Sequence, residues 1–130
     1  MSDDTSWNEK RRFPRVSVHL VIAYRPVEAA KSAKIRQDTL MSLGEGGGFI
    51  QTKLTYPKET RLDVQFNLEG KPIKAVVSVR YAVPFQLNIQ VAQFPGMGVQ
   101  FEEIDSSMAK RIRAYVSREQ IRQVANLTTG

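Results

Sequence analysis

The feature that most constrains the fold is a residue-by-residue alternation of apolar and polar side chains that recurs in short runs along the chain. Val16, Val18, Leu20, Ile22 and Tyr24 alternate with Ser17, His19 and Ala23. Leu62, Val64, Phe66 and Leu68 stand opposite Arg61, Asp63, Gln65 and Asn67, and Ile73, Ala75, Val77, Val79 and Tyr81 repeat the pattern. Successive side chains of a strand point to opposite faces, so a period of two means one face in a core and one in water. Residues 35–43 read as a further strand that runs into the glycine-rich stretch Gly44-Glu45-Gly46-Gly47-Gly48. Extended structure resumes over 49–52, and Met97, Val99 and Phe101 mark a short strand with its apolar side on odd positions. Turns fall at Arg25-Pro26, at Tyr56-Pro57-Lys58 and at Glu69-Gly70, the last closing a hairpin. Parallel strands need crossover helices, and no amphipathic helix separates these runs. The expectation is an all-β fold of six short strands in an antiparallel barrel or sandwich with one wet face.

From Asp105 the period changes. Met108, Ile112, Tyr115, Val116, Ile121 and Val124 recur at three or four, with Asp105, Ser106 or Ser107 placed to cap the first turn. The other face carries Lys110, Arg111, Arg113, Arg118 and Arg122, so one amphipathic helix flanks the barrel. The chain of 130 residues is long enough for one domain. Its expected organisation is a disordered tail over 1–9, a basic arm over 10–15, the barrel over 16–102, the helix over 105–125 and a frayed end over 126–130.

Residue types narrow the chemistry further. There is no cysteine and a single histidine, His19. A thiolate zinc site, an iron–sulfur cluster, a cysteine nucleophile and a multi-histidine metal site are therefore ruled out. Gly44-x-Gly46 lacks the third glycine of a dinucleotide fingerprint, because Phe49 takes that place, and no Lys-Ser/Thr follows as a phosphate-binding P-loop requires. Glu102 and Glu103 are adjacent in a strand and so are expected on opposite faces, which makes a poor acid/base pair. His19 falls on the polar side with no identifiable partner, and the expectation is a protein that is not an enzyme. No stretch approaches 18 consecutive apolar residues, and the acidic start Met1-Ser2-Asp3-Asp4 is unlike a signal peptide, so the expected compartment is the cytoplasm.

The formal net charge is +6. Residues 1–15 carry four basic and three acidic groups, 16–104 ten and eight, and 105–125 five and two. A nearly neutral middle argues against a broad nucleic-acid surface. So does the core register expected for Tyr24, Phe66 and Phe49, which leaves no aromatic stacking platform. The charge instead concentrates at Lys10-Arg11-Arg12 and Arg15, and arginine alone offers a rigid fork that grips a phosphate or a guanine edge and also stacks on a base.

Three motifs agree in order and spacing. They are Lys10-Arg11-Arg12-Phe13-Pro14-Arg15-Val16 before the first strand, Ser42 followed by Gly46-Gly47-Gly48-Phe49-Ile50, and Pro95-Gly96-Met97-Gly98-Val99-Gln100-Phe101 leading into the helix. Together they make the chain resemble the PilZ domain over about residues 10–118. The resemblance implies a six-stranded antiparallel barrel with a C-terminal helix, and binding of the bacterial second messenger cyclic di-GMP. The family does this through Arg-x-x-x-Arg on the arm and Asp/Asn-x-Ser-x-x-Gly on the barrel surface. Carried over, Arg11 and Arg15, with Arg12 beside them, would engage phosphates and guanines, and Ser42 matches the motif serine. Gly46 and Gly47 match the glycine pair if Gly44 and Glu45 are an insertion; without one, Glu45 occupies the motif glycine. Leu40 stands at the Asp/Asn position, where loss of a polar contact costs about 1–3 kcal/mol, and Asp38 is a neighbouring substitute acceptor. On this basis Leu40→Asn is expected to raise affinity.

The resemblance implies a receptor in which cyclic di-GMP orders the basic arm and a protein partner reads the result, for example in motility. The alternative is a degenerate PilZ-fold adaptor that binds no nucleotide and docks through the basic helix face in motility or pilus function. Neither reading needs a metal or a cofactor beyond the ligand, DNA or RNA, or membrane insertion, and both suit a monomer or weak homodimer.

Overall fold

A computed structural model of the chain describes residues 14–29, 33–85 and 94–129. The tail over 1–9 and most of the basic arm, including Arg11 and Arg12, lie outside the described residues. Six strands, β1 (Arg15–Pro26), β2 (Arg36–Gly44), β3 (Gly47–Gln51), β4 (Arg61–Leu68), β5 (Lys71–Val83) and β6 (Gly96–Ile104), precede one helix, α1 (Ser106–Thr129). They form a closed barrel in the order β1-β2-β3-β6-β5-β4, every pair antiparallel, with β1 and β4 completing the ring. Closure leaves no strand edge open.

The alternation lands where it should. Ile22, Tyr24, Leu62, Val64, Phe66, Leu68, Ile73, Val77 and Val79 are buried in one core, while Asp63, Gln65 and Asn67 face water. Glu69 and Gly70 join β4 to β5 with φ of 54° and 84°. Positive φ at both central residues makes the tight turn whose twist matches the flanking strands. His19 is exposed, as its register predicts.

Helix α1 starts where Asp105 accepts a hydrogen bond from the Ser107 amide at 3.0 Å, satisfying one of the otherwise unpaired first-turn donors. It continues past the expected end at 125, since neither glycine nor proline interrupts it before Gly130. Ile112 and Val116 are buried in the barrel core. Arg111 donates to the carbonyls of Leu68, Lys71 and Pro72 at 2.8–3.1 Å. The helix therefore closes the end of the barrel formed by the start of β1, the β2–β3 turn and the β4–β5 turn. Its later apolar positions do not reach the core: Ile121 is 72% and Val124 58% exposed.

Three expectations are overturned, two of them by irregular strand pairing. An extra residue in β5 between Val79 and Tyr81 reverses the parity, and Tyr81 leaves the core face. Phe49 also points outward, because Ile50 takes the buried position with no exposed area. A second irregularity, pairing Val76 with Glu103 and Val77 with Phe101, leaves Glu102 as a bulged residue. Glu102 and Glu103 are then reached together by one guanidinium, that of Arg61, at 3.1 and 2.6 Å. They do not face opposite sides as a regular strand would require.

Candidate ligand site

The far end of the barrel, where β1 finishes and β2 begins, is a closed polar plug. Tyr24 donates its hydroxyl to Asp38 at 2.6 Å. Arg36 lies 5.1 Å from the Tyr24 ring centre and 5.0 Å from that of Tyr56. It donates to the Thr52 hydroxyl at 3.0 Å and to the Leu54 carbonyl. Burial, reinforced by the hydrogen bond to Asp38, pushes the Tyr24 hydroxyl up to about 12. Asp38 is thus committed inside the barrel mouth and is not a substitute acceptor for a surface ligand.

The α1 end is built differently. Arg15 pairs with Gly44, Val16 with Leu43 and Ser17 with Ser42 across β1 and β2. Val16 and Leu43 are buried, so Arg15, Ser17, Ser42 and Gly44 share the outer face. Ser42 lies opposite Phe49 on β3, and Phe49 opposite Gly98 on β6, which in turn pairs with Tyr81. One row around the barrel surface therefore reads Ser17, Ser42, Phe49, Gly98, Tyr81. The Phe49 and Tyr81 rings are 6.3 Å apart, tilted by 30°. They lie over Gly96 and Gly98, where any Cβ would sit 2.1–2.6 Å from a ring or backbone atom. The barrel thus carries an outer aromatic pair in the same row as Ser42, contrary to the expectation of none.

Among the glycines, Gly44 is the one the arm needs. A Cβ there would lie 2.5 Å from the Pro14 carbonyl oxygen and 2.9 Å from Arg15 Cγ, so only glycine lets the arm cross the β2–β3 turn this closely. The two predicted ligand glycines sit against β6. The Gly46 carbonyl accepts from the Phe101 amide at 2.9 Å, and a Cβ at Gly47 would meet the Val99 carbonyl at 2.0 Å. In a run so rich in glycine, nothing in the sequence distinguishes which residue meets the arm.

Leu40 is the sharpest departure from the motif reading. It is 2% exposed, in the core opposite Ile50. Between Leu40 and Ser42 the pairing with β3 slips by one residue, and a matching irregularity interrupts β1 between Ser17 and Leu20. Met41 is the extra residue, so positions two apart, which ordinarily share a face, come to lie on opposite faces. A polar side chain at 40 would enter the core and not the ligand surface.

The basic face expected on α1 is also altered. Arg111 is spent on carbonyls, Arg113 pairs with Glu45 at 2.6 Å, Arg118 with Glu69 at 2.5 Å and Arg122 with Glu119 at 3.3 Å. Four of the five cations anticipated as a free electropositive face are tied to the protein itself. Among the described residues no group of histidine, aspartate and glutamate is arranged to hold a metal ion. No described helix is long and apolar enough to cross a membrane.

Residues 9–118 match the PilZ domain model, and the chain belongs to that family. Among solved structures, the Bacillus subtilis inhibitor of motility (MotI/DgrA) superposes with a TM-score of 0.71 at 17% identity, over 87% of this chain and 52% of its own. The PilZ domain of Escherichia coli YcgR, described with c-di-GMP, has a TM-score of 0.64 at 11% identity, over 90% of this chain and 98% of its own. K. pneumonia MrkH, described as a c-di-GMP complex, gives 0.66 at 14% identity over 88% and 53%. The chain spans about half the length of MotI/DgrA and MrkH, and at these identities the likeness establishes the fold. No curated protein sequence matches the chain.

Proposed function

We propose that the chain is a receptor for cyclic di-GMP, bound between the basic arm and the outer face of β2 and β3. The observation that carries this reading is the convergence of Arg15, Ser42 and Gly44 on one outer face, with the arm crossing directly over Gly44. Arg11 and Arg12 precede Pro14 in the chain by three and two residues. Membership of the PilZ family and the solved relatives described with c-di-GMP support the same ligand. In this reading Arg11, Arg12 and Arg15 take phosphates and guanines, Ser42 supplies a hydroxyl at the barrel surface, and Gly46 and Gly47 keep the turn low enough for the ligand to approach. The protein acts by binding and not by catalysis, in the cytoplasm, and the ordered arm is what a protein partner recognises. A ligand shifts such an equilibrium only by its differential affinity for the two states, so the arm must be less ordered without it.

A second reading has its own support. Leu40 is in the core, leaving the surface without the motif carboxylate or amide, and Glu45 puts a carboxylate in the turn. These favour an adaptor that binds partners without nucleotide. Calorimetric titration of cyclic di-GMP into wild type, Arg11→Ala and Arg15→Ala separates the two. The receptor reading expects micromolar or tighter binding that drops by at least about tenfold in each variant. No heat from folded wild type at tens of micromolar ligand leaves the adaptor reading standing.

A further inference from the structure

Glu45 places an anion at the corner of the barrel where Arg15 and Arg113 lie. Glu45 follows Gly44, so its carboxylate belongs to the very turn that Pro14 and Arg15 cross. An unmasked carboxylate there would repel an anionic ligand, because charges within about 10 Å still feel one another at 0.1 M salt. It is not unmasked. Arg113 of α1 donates through Nε to Oε1 at 3.0 Å and through Nη2 to Oε2 at 2.6 Å. This two-pronged geometry occupies both carboxylate oxygens, and it is the strongest form of the guanidinium–carboxylate pair. The Glu45 side chain is only 19% exposed against 60% for Arg113, so the cation forms the outer layer. The same hydrogen bonding holds the Glu45 carboxyl below its ordinary 4.5, so the group is charged at neutral pH and needs a counter-charge.

We propose that Arg113 is a positioning residue of the ligand site, masking Glu45 so that a phosphodiester ligand binds beside a carboxylate. It does not touch the ligand; it acts through Glu45. The inference rests on the cyclic di-GMP reading above. It explains how a turn that carries a glutamate beside its glycines remains compatible with an anionic ligand, because the compensating charge arrives from a helix 68 residues further along the chain.

The test is calorimetric titration of cyclic di-GMP into the full chain as wild type, Arg113→Ala, Glu45→Gln, the double variant and Arg118→Ala. Unmasking the carboxylate in Arg113→Ala is expected to weaken binding by about 3- to 10-fold near 0.05 M salt, the loss shrinking as salt screens it. In the double variant the turn–helix tie is still broken but the offending charge is gone, and affinity returns to within about twofold of Glu45→Gln. Arg118→Ala, which severs a different helix ion pair, matches wild type. Should Arg113→Ala not fold, Arg113→Gln takes its place with the same expectations. If wild type binds and Arg113→Ala binds equally, the inference is overturned and the receptor reading survives. It is overturned equally if the double variant stays as weak as Arg113→Ala, since the tie itself or direct contact would then be the cause. Folded wild type without binding overturns the receptor reading and this inference together.

Discussion

The two ends of the barrel both bring arginine against carboxylate or hydroxyl groups, and they use it for different ends. Where β1 finishes, Arg36 lies against the rings of Tyr24 and Tyr56 and spends its donors on Thr52 and Leu54, while Tyr24 donates to Asp38. Every one of these groups has an internal partner, so this end stabilises the fold. Where β1 begins, Arg15 lies on the outer face over Gly44, and Arg113 reaches inward from α1 to neutralise Glu45. There the chain places arginine on the outer surface beside the β2–β3 turn. The contrast teaches that an arginine's role is set by what surrounds its fork: packed against two rings Arg36 is structural, and at the β2–β3 turn Arg113 answers the carboxylate of Glu45.

The sharpest way to break this division is Leu40→Asn. Read as repair of a motif, it should tighten ligand binding; read from the core position of Leu40, it should lower unfolding free energy by about 2–5 kcal/mol through an unpaired amide and lost apolar contacts. Urea denaturation of the two proteins distinguishes the outcomes, and an affinity gain without destabilisation would refute the placement of Leu40. Next in size, Arg36→Ala is expected to cost about 1–3 kcal/mol of stability, through lost hydrogen bonds and cation–ring contacts, and to leave cyclic di-GMP affinity within about twofold. A large affinity loss would mean that the two ends are coupled.

Gly44→Ala is the converse experiment. The added Cβ forces the Pro14 backbone away, so ligand affinity is expected to fall by about tenfold, equivalent to about 1.4 kcal/mol, together with a loss of about 1–3 kcal/mol in unfolding free energy from the displaced backbone. Equal affinity would remove the arm's crossing from the site. The smallest effect is spectroscopic. With its hydroxyl raised to about 12, Tyr24 keeps its proton more tightly folded than unfolded. The stability this contributes is complete below pH 10, the ordinary tyrosine value, and declines as pH rises toward 12. Absorbance titration at 295 nm should therefore show Tyr24 ionising late, together with unfolding, and Tyr24→Phe should abolish that late step. A late step that persists in Tyr24→Phe would assign it elsewhere.

Most of the fold was legible because alternation is a local record of burial. Leu62, Val64, Phe66 and Leu68 had one reading, and the hairpin turn at Glu69-Gly70 announced itself. The family resemblance likewise rested on motifs short enough to see. What escaped notice sits at pairing irregularities. The run from Ile73 keeps perfect parity in sequence and predicts Tyr81 in the core, yet one extra residue after Val79 turns it outward. Leu40 and Ser42 looked like neighbours on one face until the slip at Met41 separated them. Glu102 and Glu103 met on Arg61 for the same reason. The basic face of α1 was counted correctly, but its partners, Glu45, Glu69 and the carbonyls of the β4–β5 turn, lie 39 to 68 residues away.

By itself, then, the sequence determined the class of fold, the strand order along the chain, the inner residues of the regular strands and the segment where positive charge gathers. All of these follow from local periodicity and from the chemistry of single residues. Only the tertiary structure decided which glycine lies under Pro14 and Arg15, that position 40 faces the core, and which helix arginines are paired with carboxylates. Those depend on where a strand's hydrogen-bond ladder slips against its neighbours. A slip is chosen by the combined packing of β1, β2 and β3, and no one strand carries enough information to announce it.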